Sequence, residues 1–354
     1  MPSLFCIGGL MQINNLKIDG ISAGHVQGIA VDADRKYVYY SFTTAFIKTD
    51  INGNIVGSVT GLVGHLGCIA YNKEDGRVYG SLEYKRDAIG NGILARLGSD
   101  AASSDGFYVA VFDVDRIDRK DMDAERDGVM SAVHLDEVLA DYSAEGHKYG
   151  CSGIDGITFA PLAGQKGGKR YLYVAYGIYG DISRNDNDHQ IILRYDISEW
   201  KRFARPLKQN DMHHTGPAAP DDKYFVYTGN TRYGIQNLEY DEYSNCIYAA
   251  VYQGKKEHFP NYAMFAIDMS VASETAPIRG TDESGKMLML AEFGTEHRKT
   301  GIYGSDFKYG ATGMASLGEG YFLFSEDFSE NGKWGTVLNT YRFDGTEFEK
   351  SIEK

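Results

Sequence analysis

Residues 24–32 read GHVQGIAVD and residues 64–72 read GHLGCIAYN. Gly24 and Gly64, His25 and His65, Ile29 and Ile69, and Ala30 and Ala70 match at a constant offset of forty residues. A short apolar run written twice, each time behind a histidine, marks a structural repeat. The slot filled by GIAVD (28–32) and GCIAYN (67–72) is filled again by GITFAP (156–161), NLEYDE (237–242) and GMASLG (313–318).

A second run with an aromatic residue in a fixed place follows each of these: YVYYSF (37–42), RVYGSL (77–82), YLYVAY (171–176), CIYAAV (246–251) and YFLFSE (321–326). A third run then ends in an aspartate, at Asp50, Asp113, Asp196, Asp268 and Asp344. Aspartate at a strand end favours a turn, because its carboxylate accepts from nearby backbone N–H groups. Fourth runs are IVGSVT, VMSAVHL, KYFVYTG, KMLMLAEF and FEKSIEK.

Five units of four short strands predict an all-β chain folded as a five-bladed β-propeller with four-stranded antiparallel blades. Runs that are apolar on successive residues suit blades buried on both faces. A β-sandwich is the competing architecture, but it gives no reason for one register to recur five times. Helical periodicity competes only around MSAVHLDEVLADY (130–142). The chain is read as a single propeller domain over 1–354, with blades at about 24–63, 64–150, 151–231, 232–307 and 308–354. An N-terminal strand at 11–22 and the C-terminal EFEKSIEK compete to close the ring and remove its free edge. Insertions such as KRDAIGNGILARLGSDAASSDG (85–106), YSAEGHKYGC (142–151), GIYGDISRNDNDHQ (177–190) and GTEHRKTGIYGSDFKYG (294–310) place long loops on one face. Long loops on a rigid scaffold are where function concentrates.

Composition narrows the partners. A net charge of −13 disfavours a duplex nucleic acid and an anionic membrane surface, both of which need a cationic face. No stretch approaches the ~20 apolar residues of a membrane span. Cys6, Cys68, Cys151 and Cys246 form no CxxC pair, and three of them sit beside apolar runs, as buried reduced thiols do. MPSLFCIGGLMQ lacks the basic start of a signal peptide, so a cytoplasmic location is expected.

Aligning the repeats gathers residues from distant parts of the chain at one mouth of the central channel. Gln27, Gly67, Asp155, Gln236 and Thr312 form a ring, and His25 and His65 stand two residues earlier. Thr43, Glu83, Gly177, Tyr252 and Glu326 end the second strands beside them, with Tyr84 and Asp327 next in line. Three roles fit this mouth. The histidines hydrogen-bond to backbone while Asp155 and Gln236 hold channel water; or His25, His65, Asp155 and Gln236 hold one divalent cation, calcium, manganese or zinc, on the axis; or histidine and carboxylate act directly as acid and base. His25, His65, Glu83, Asp155 and Glu326 are the catalytic candidates. Gln27, Tyr84, Lys85, Arg232, Gln236, Tyr252, Lys308 and Tyr309 are the substrate-binding candidates, since aromatic rings with charged groups suit a sugar or a uronate. RNDNDH (184–189) lacks the glycine and distal glutamate of an EF-hand and reads as a solvated turn. His213 and His214 read as an exposed pair in a Gly/Pro-rich loop.

The fivefold register over residues 20–354 resembles the five-bladed propeller superfamily. Its members include glycoside hydrolases of the arabinanase and invertase type, calcium-dependent nucleotidases and sugar-binding lectins. The resemblance implies carboxylates at the central funnel, where Asp155 and Glu83 correspond in position. The first blade has His25 and Gln27 where those glycosidases carry an aspartate. The expected function is a carbohydrate-active enzyme, a glycoside hydrolase or a polysaccharide or uronate lyase, acting on a small-molecule or oligosaccharide ligand. A metal-dependent phosphohydrolase, nucleotidase or lactonase is the first alternative, and a non-catalytic sugar- or protein-binding propeller the second.

Overall fold

A computed structural model describes residues 3–7, 10–99 and 104–351, with side chains from Ile13 onward. Five small sheets stand in a ring, and each repeat unit of the sequence forms one of them. Blade 1 comprises Val26–Val31, Tyr37–Phe42, Ala45–Asp50 and Ile55–Thr60 from axis to rim. Blade 2 comprises His65–Asn72, Arg77–Tyr84, Gly106–Phe112 and Met130–His134. Blade 3 comprises Cys151–Ala160, Tyr171–Ile178, His189–Tyr195 and Asp222–Tyr227. In blade 4, Thr231–Asp241, Cys246–Gln253 and Met264–Asp268 are followed by two isolated bridges, from Ile267 to Leu290 and from Met264 to Ser305. Blade 5 has Met314–Gly318, Tyr321–Glu330 and Lys333–Phe343.

The repeated aspartates do what their position in the sequence implies. Asp50 accepts from the N–H groups of Asn52 and Asn54 at 2.8 and 2.9 Å, and Asp344 from those of Thr346 and Glu347 at 2.7 and 2.9 Å. Asp196 and Asp268 cap in the same way, whereas Asp113 leads into a short 3-10 turn without a side-chain cap. Between blades the core is aromatic: Phe46 stacks on Phe112 at 4.3 Å, Tyr79 meets Phe159 at 5.1 Å, and Tyr248 meets Phe322 at 4.9 Å. Near the axis, serines from second strands tie blade 1 to blade 2 and blade 2 to blade 3. Ser41 donates to Gly67 O and Ser81 to Asp155 O, both at 2.6 Å.

Both termini close the ring. The long strand Lys333–Phe343 pairs with Leu16–Ile21 over Trp334–Leu338 and with Phe348–Lys350 over Tyr341–Phe343. The strand expected at 11–22 is therefore broken at Asn15, which takes a positive φ of 56°. Leu10–Asn14 pairs instead with Ser3–Ile7. Asn14 and Asn15 clamp the junction, accepting from Thr340 N–H at 2.9 Å and donating to Asn339 Oδ1 at 3.1 Å, respectively.

The connections from third to fourth strand were not expected to build structure of their own, yet in blades 2, 3 and 4 each one reaches back to the preceding blade's outer edge. Met122–Asp123 pairs with Val59–Thr60, Arg205 bridges Ala132, and Ser284–Met287 lies against Tyr224–Phe225. Each strap thus covers an exposed edge that would otherwise invite foreign strands. KMLMLAEF is accordingly no simple fourth strand: its start joins blade 3, and Leu290 bridges blade 4.

Two helices rise at the rim where inner strands begin. Helix α1, Ala88–Leu97, was not anticipated; Asp87 caps it by accepting from Ile89 and Gly90 N–H, and Gly98 ends it at φ 61°. Helix α2 spans Asp136–Ser143, so the first part of 130–142 is a strand rather than helix. Cys68, Cys151 and Cys246 are buried and free, while the side chain of Cys6 lies outside the described residues. Among the described residues no helix is long and apolar enough to cross a membrane.

Candidate active site at the channel mouth

Four inner strands carry an irregularity in pairing at the same height. It falls between Val26 and Gly28, Leu66 and Ile69, Ile154 and Ile157, and Ile235 and Asn237. A β-bulge inserts an unpaired residue and re-aims its side chain. Gln27, Asp155 and Gln236 sit at these bulges and face one cavity of about 240 Å³. His25, His65, Glu83, Lys85 and Tyr252 line the same cavity, so the repeat alignment brings eight of its candidates together. In blade 5 the irregularity falls later, between Ser316 and Gly318, and Thr312 does not reach the cavity.

Charge is concentrated on the side built by blades 2 and 3. Glu83, 3% exposed, accepts from Lys85 Nζ at 2.5 Å and from Ile154 N–H at 3.0 Å. Lys85, 4% exposed, also donates to Ser152 O at 2.8 Å and lies 3.7 Å from Asp87. Burial alone would raise the Glu83 pKa, but the ammonium of Lys85 and the imidazole of His65 outweigh it and hold the carboxyl below its ordinary range. Two glycines make this packing possible. A Cβ at position 153, where φ is +127°, would fall 2.0 Å from Glu83 Oε2, and one at position 67 would fall 2.5 Å from Asp155 Oδ1.

Asp155 is held differently. Gln236 Nε2 donates to its Oδ2 at 3.3 Å, and its Oδ1 lies 3.8 Å from His65 Nδ1. Burial dominates here and pushes the carboxyl up to about 7. Burial would lower His65, but the carboxylates of Glu83 and Asp155 outweigh it and raise its pKa. His65 Nδ1 is buried, 3.4 Å from Glu83 Oε1, and makes no hydrogen bond of proper geometry to either carboxylate. His25 is shifted the other way, lowered by burial. Its Nδ1 donates to Val26 O at 2.9 Å and its Nε2 accepts from Gln27 at 3.1 Å, which fixes the neutral tautomer.

Other expected residues lie elsewhere. Tyr84 is buried between blades 1 and 2, its hydroxyl donating to Gln209 at 3.0 Å. It belongs to the core because side chains alternate along a strand and Glu83 takes the channel side. Glu326 turns to the flank of blade 5, where Asn339, Tyr341 and Lys350 donate to it at 2.7, 2.9 and 3.0 Å. Tyr309 packs on Tyr341 in that cluster with Lys308 over its ring, so neither lines the cavity. Arg232 is exposed, its guanidinium 5.3 Å from the Tyr233 ring.

Some lining residues were missed. Ile89 comes from the unexpected helix α1, and Ser152 precedes the strand slot. Tyr233, expected with Arg232 at the entrance to this blade, does line the cavity; it has a positive φ of 68° and offers its carbonyl to Gln236 at 3.0 Å. The RNDNDH loop is more than a solvated turn: the buried Lys256 ammonium donates to Arg184 O at 2.6 Å, to Asn187 Oδ1 at 2.9 Å and to Asp188. A lysine occupies the place of a cation there.

Fold and site together define a five-bladed propeller with a charged funnel at one end of its channel. No protein-family model matches the chain, and no curated protein matches it.

Proposed function

We propose that the channel mouth is the active site of a carbohydrate-active enzyme working by proton transfer through Asp155. The observation that carries this reading is a carboxyl with a pKa of about 7 at a cavity of about 240 Å³, beside His65. That volume is below the ~300–1,000 Å³ of pockets for drug-sized ligands and suits a single sugar ring. Groups whose surroundings push their pKa values apart are the natural acid and base of a site. Asp155 keeps a proton near neutrality, and His25 stays unprotonated.

Elimination from a uronate suits these groups better than hydrolysis. Hydrolysis sets two free carboxyl groups on either side of the glycosidic bond. Glu83 and Glu326, the partners expected for Asp155, are both held by other side chains. In the elimination, His25 Nε2 exchanges its hydrogen bond from Gln27 for the proton on the carbon next to the carboxylate. A carbon–carbon double bond forms, the C–O bond to the leaving sugar breaks, and Asp155 protonates the departing oxygen. His65, whose pKa is raised by the neighbouring carboxylates, stands where it can face the substrate carboxylate.

Assay of the protein on a panel of oligouronates and neutral oligosaccharides tests this, because the unsaturated product absorbs in the ultraviolet. Asp155→Asn is expected to lower turnover by roughly 10²–10⁴-fold, the usual worth of a positioned acid. Turnover of any panel member that survives both Asp155→Asn and His25→Ala removes the site. Cleavage without ultraviolet absorbance assigns hydrolysis, and binding without turnover assigns a sugar-binding propeller.

A second reading, a metal-dependent phosphohydrolase, nucleotidase or lactonase, is favoured by the unpartnered Nδ1 of His65 facing two carboxylates. His65 and Asp155, with His25 and Gln236, would then hold calcium, manganese or zinc. Lys85 already neutralises Glu83 at this spot. Metal analysis of the parent protein against Asp155→Asn separates the two readings, since only an ion lost with Asp155 belongs to the channel mouth.

A further inference from the structure

The strap of blade 3 crosses the outer edge of blade 2 before returning to its own outer strand. Arg205 pairs with Ala132, His134 N–H donates to Thr215 O at 3.0 Å, and Tyr108 OH donates to His213 O at 2.9 Å. Gln209 anchors the same strap through Val63 N–H at 2.7 Å and Gly61 O at 2.8 Å. At this crossing three side chains from separate elements meet: His134 ends the outer strand of blade 2, Asp136 opens helix α2, and His214 lies on the strap. One ligating atom from each lies within 4.8 Å of the others.

His134 is the telling member. Its side chain is 0% exposed, and its Nδ1 stands 2.7 Å from Asp136 Oδ1. A carboxylate only accepts, so Nδ1 carries the proton and Nε2 carries a lone pair. That Nε2 is buried and has no hydrogen-bond partner. The ring of His214 lies 4.5 Å away, centroid to centroid. A buried imidazole lone pair, with the opposite nitrogen oriented by a carboxylate, is the arrangement that metal-ligating histidines adopt.

We propose that His134 and His214 form a binding site for a divalent transition-metal ion of the zinc class, with Asp136 orienting His134 from its far nitrogen, and that the ion fastens the strap to blade 2. Two imidazoles select zinc, cobalt, nickel or copper over magnesium and calcium, which take oxygen ligands. His214 is exposed, so rotation of its side chain can bring a ring nitrogen to about 2.1 Å from an ion on His134 Nε2. Water completes the coordination at this open edge. His213 serves the strap instead, since its Nδ1 accepts from Thr215 N–H at 3.1 Å. The site is separate from the channel mouth, whose residues it does not share.

The full-length protein, stripped with a chelator, is titrated with Co²⁺ under visible absorption and with Zn²⁺ by calorimetry. One ion per chain is expected to bind with cobalt bands in the visible, and Zn²⁺ is expected to displace it. His214→Ala, on the exposed strap, is expected to weaken binding at least tenfold, while Asp155→Asn leaves it unchanged. Bound Zn²⁺ is further expected to slow proteolysis of the strap in the parent protein and not in His214→Ala. Replacement of buried His134 can harm folding, so His214→Ala carries the test. No cobalt band in the parent protein, or unchanged affinity in His214→Ala, overturns the site.

Discussion

The two ends of the channel each hold one carboxyl that burial raises, and they treat it differently. Asp155 stands where the inner strands begin, and Glu239 where they end, beside a second cavity of about 190 Å³. Burial pushes both up to about 7. Glu239 accepts the N–H of Ser316 at 2.7 Å, and the two guanidiniums at its cavity are engaged, Arg170 with Glu242 at 2.8 Å and Arg35 with Leu317 O at 2.5 Å. Asp155 has only a 3.3 Å contact from Gln236 and an imidazole at 3.8 Å. The same upward shift therefore meets a firm backbone donor at one end and only loose contacts at the other. Firm partners, more than depth, separate the two.

The largest expected effect breaks the charge balance at the mouth. Lys85→Met leaves Glu83 buried without its ammonium and is expected to cost about 3–5 kcal/mol in urea unfolding. Adding Glu83→Gln is expected to recover most of that loss. A single variant of parental stability would mean that the pair contributes nothing.

Glu239→Gln sharpens the comparison from the far end. The folded pKa of Glu239 is raised above the ~4.3 of an unfolded chain, so folding favours its protonated form. The stability this gives is present below about pH 4 and is lost as pH rises to about 7. Relative to the parent, Glu239→Gln is expected to gain stability across that window, by up to about 2 kcal/mol, with activity unchanged. Asp155→Asn is expected to share the stability trend while losing activity. Loss of activity in both would erase the distinction between the ends.

A smaller effect is expected at the serine ties. Ser81→Ala removes the 2.6 Å bond to Asp155 O and Ser41→Ala the equivalent bond to Gly67 O. Each is expected to cost about 1 kcal/mol in thermal unfolding. Only Ser81→Ala, which loosens the strand carrying Asp155, is expected to lower turnover as well.

Much of the ring was legible because its signals are local and repeated. Asp50, Asp196, Asp268 and Asp344 cap turns within two to four residues of themselves, so their role shows in the sequence. Gln27, Asp155 and Gln236 share a bulge that recurs in register, which is why an alignment gathers them. What escaped depends on distance or on a choice between faces. The straps pair residues of different blades, and no local pattern announces that Arg205 meets Ala132. Tyr84 and Glu83 are neighbours with opposite fates, and a one-residue difference in register decides between core and channel. Glu326 shows the same limit: in blade 5 the bulge comes later, so an aligned carboxylate turns to Asn339 and Tyr341 instead.

The most direct test is to follow the carboxyl carbons of the protein, labelled in aspartate alone, by NMR across pH 3 to 9. Labelling only aspartate keeps Glu239 silent. The expected result is one aspartate that titrates near pH 7 and vanishes from the spectrum of Asp155→Asn. If every aspartate titrates below about pH 5, Asp155 holds no proton at neutrality and the acid assigned to the channel mouth does not exist.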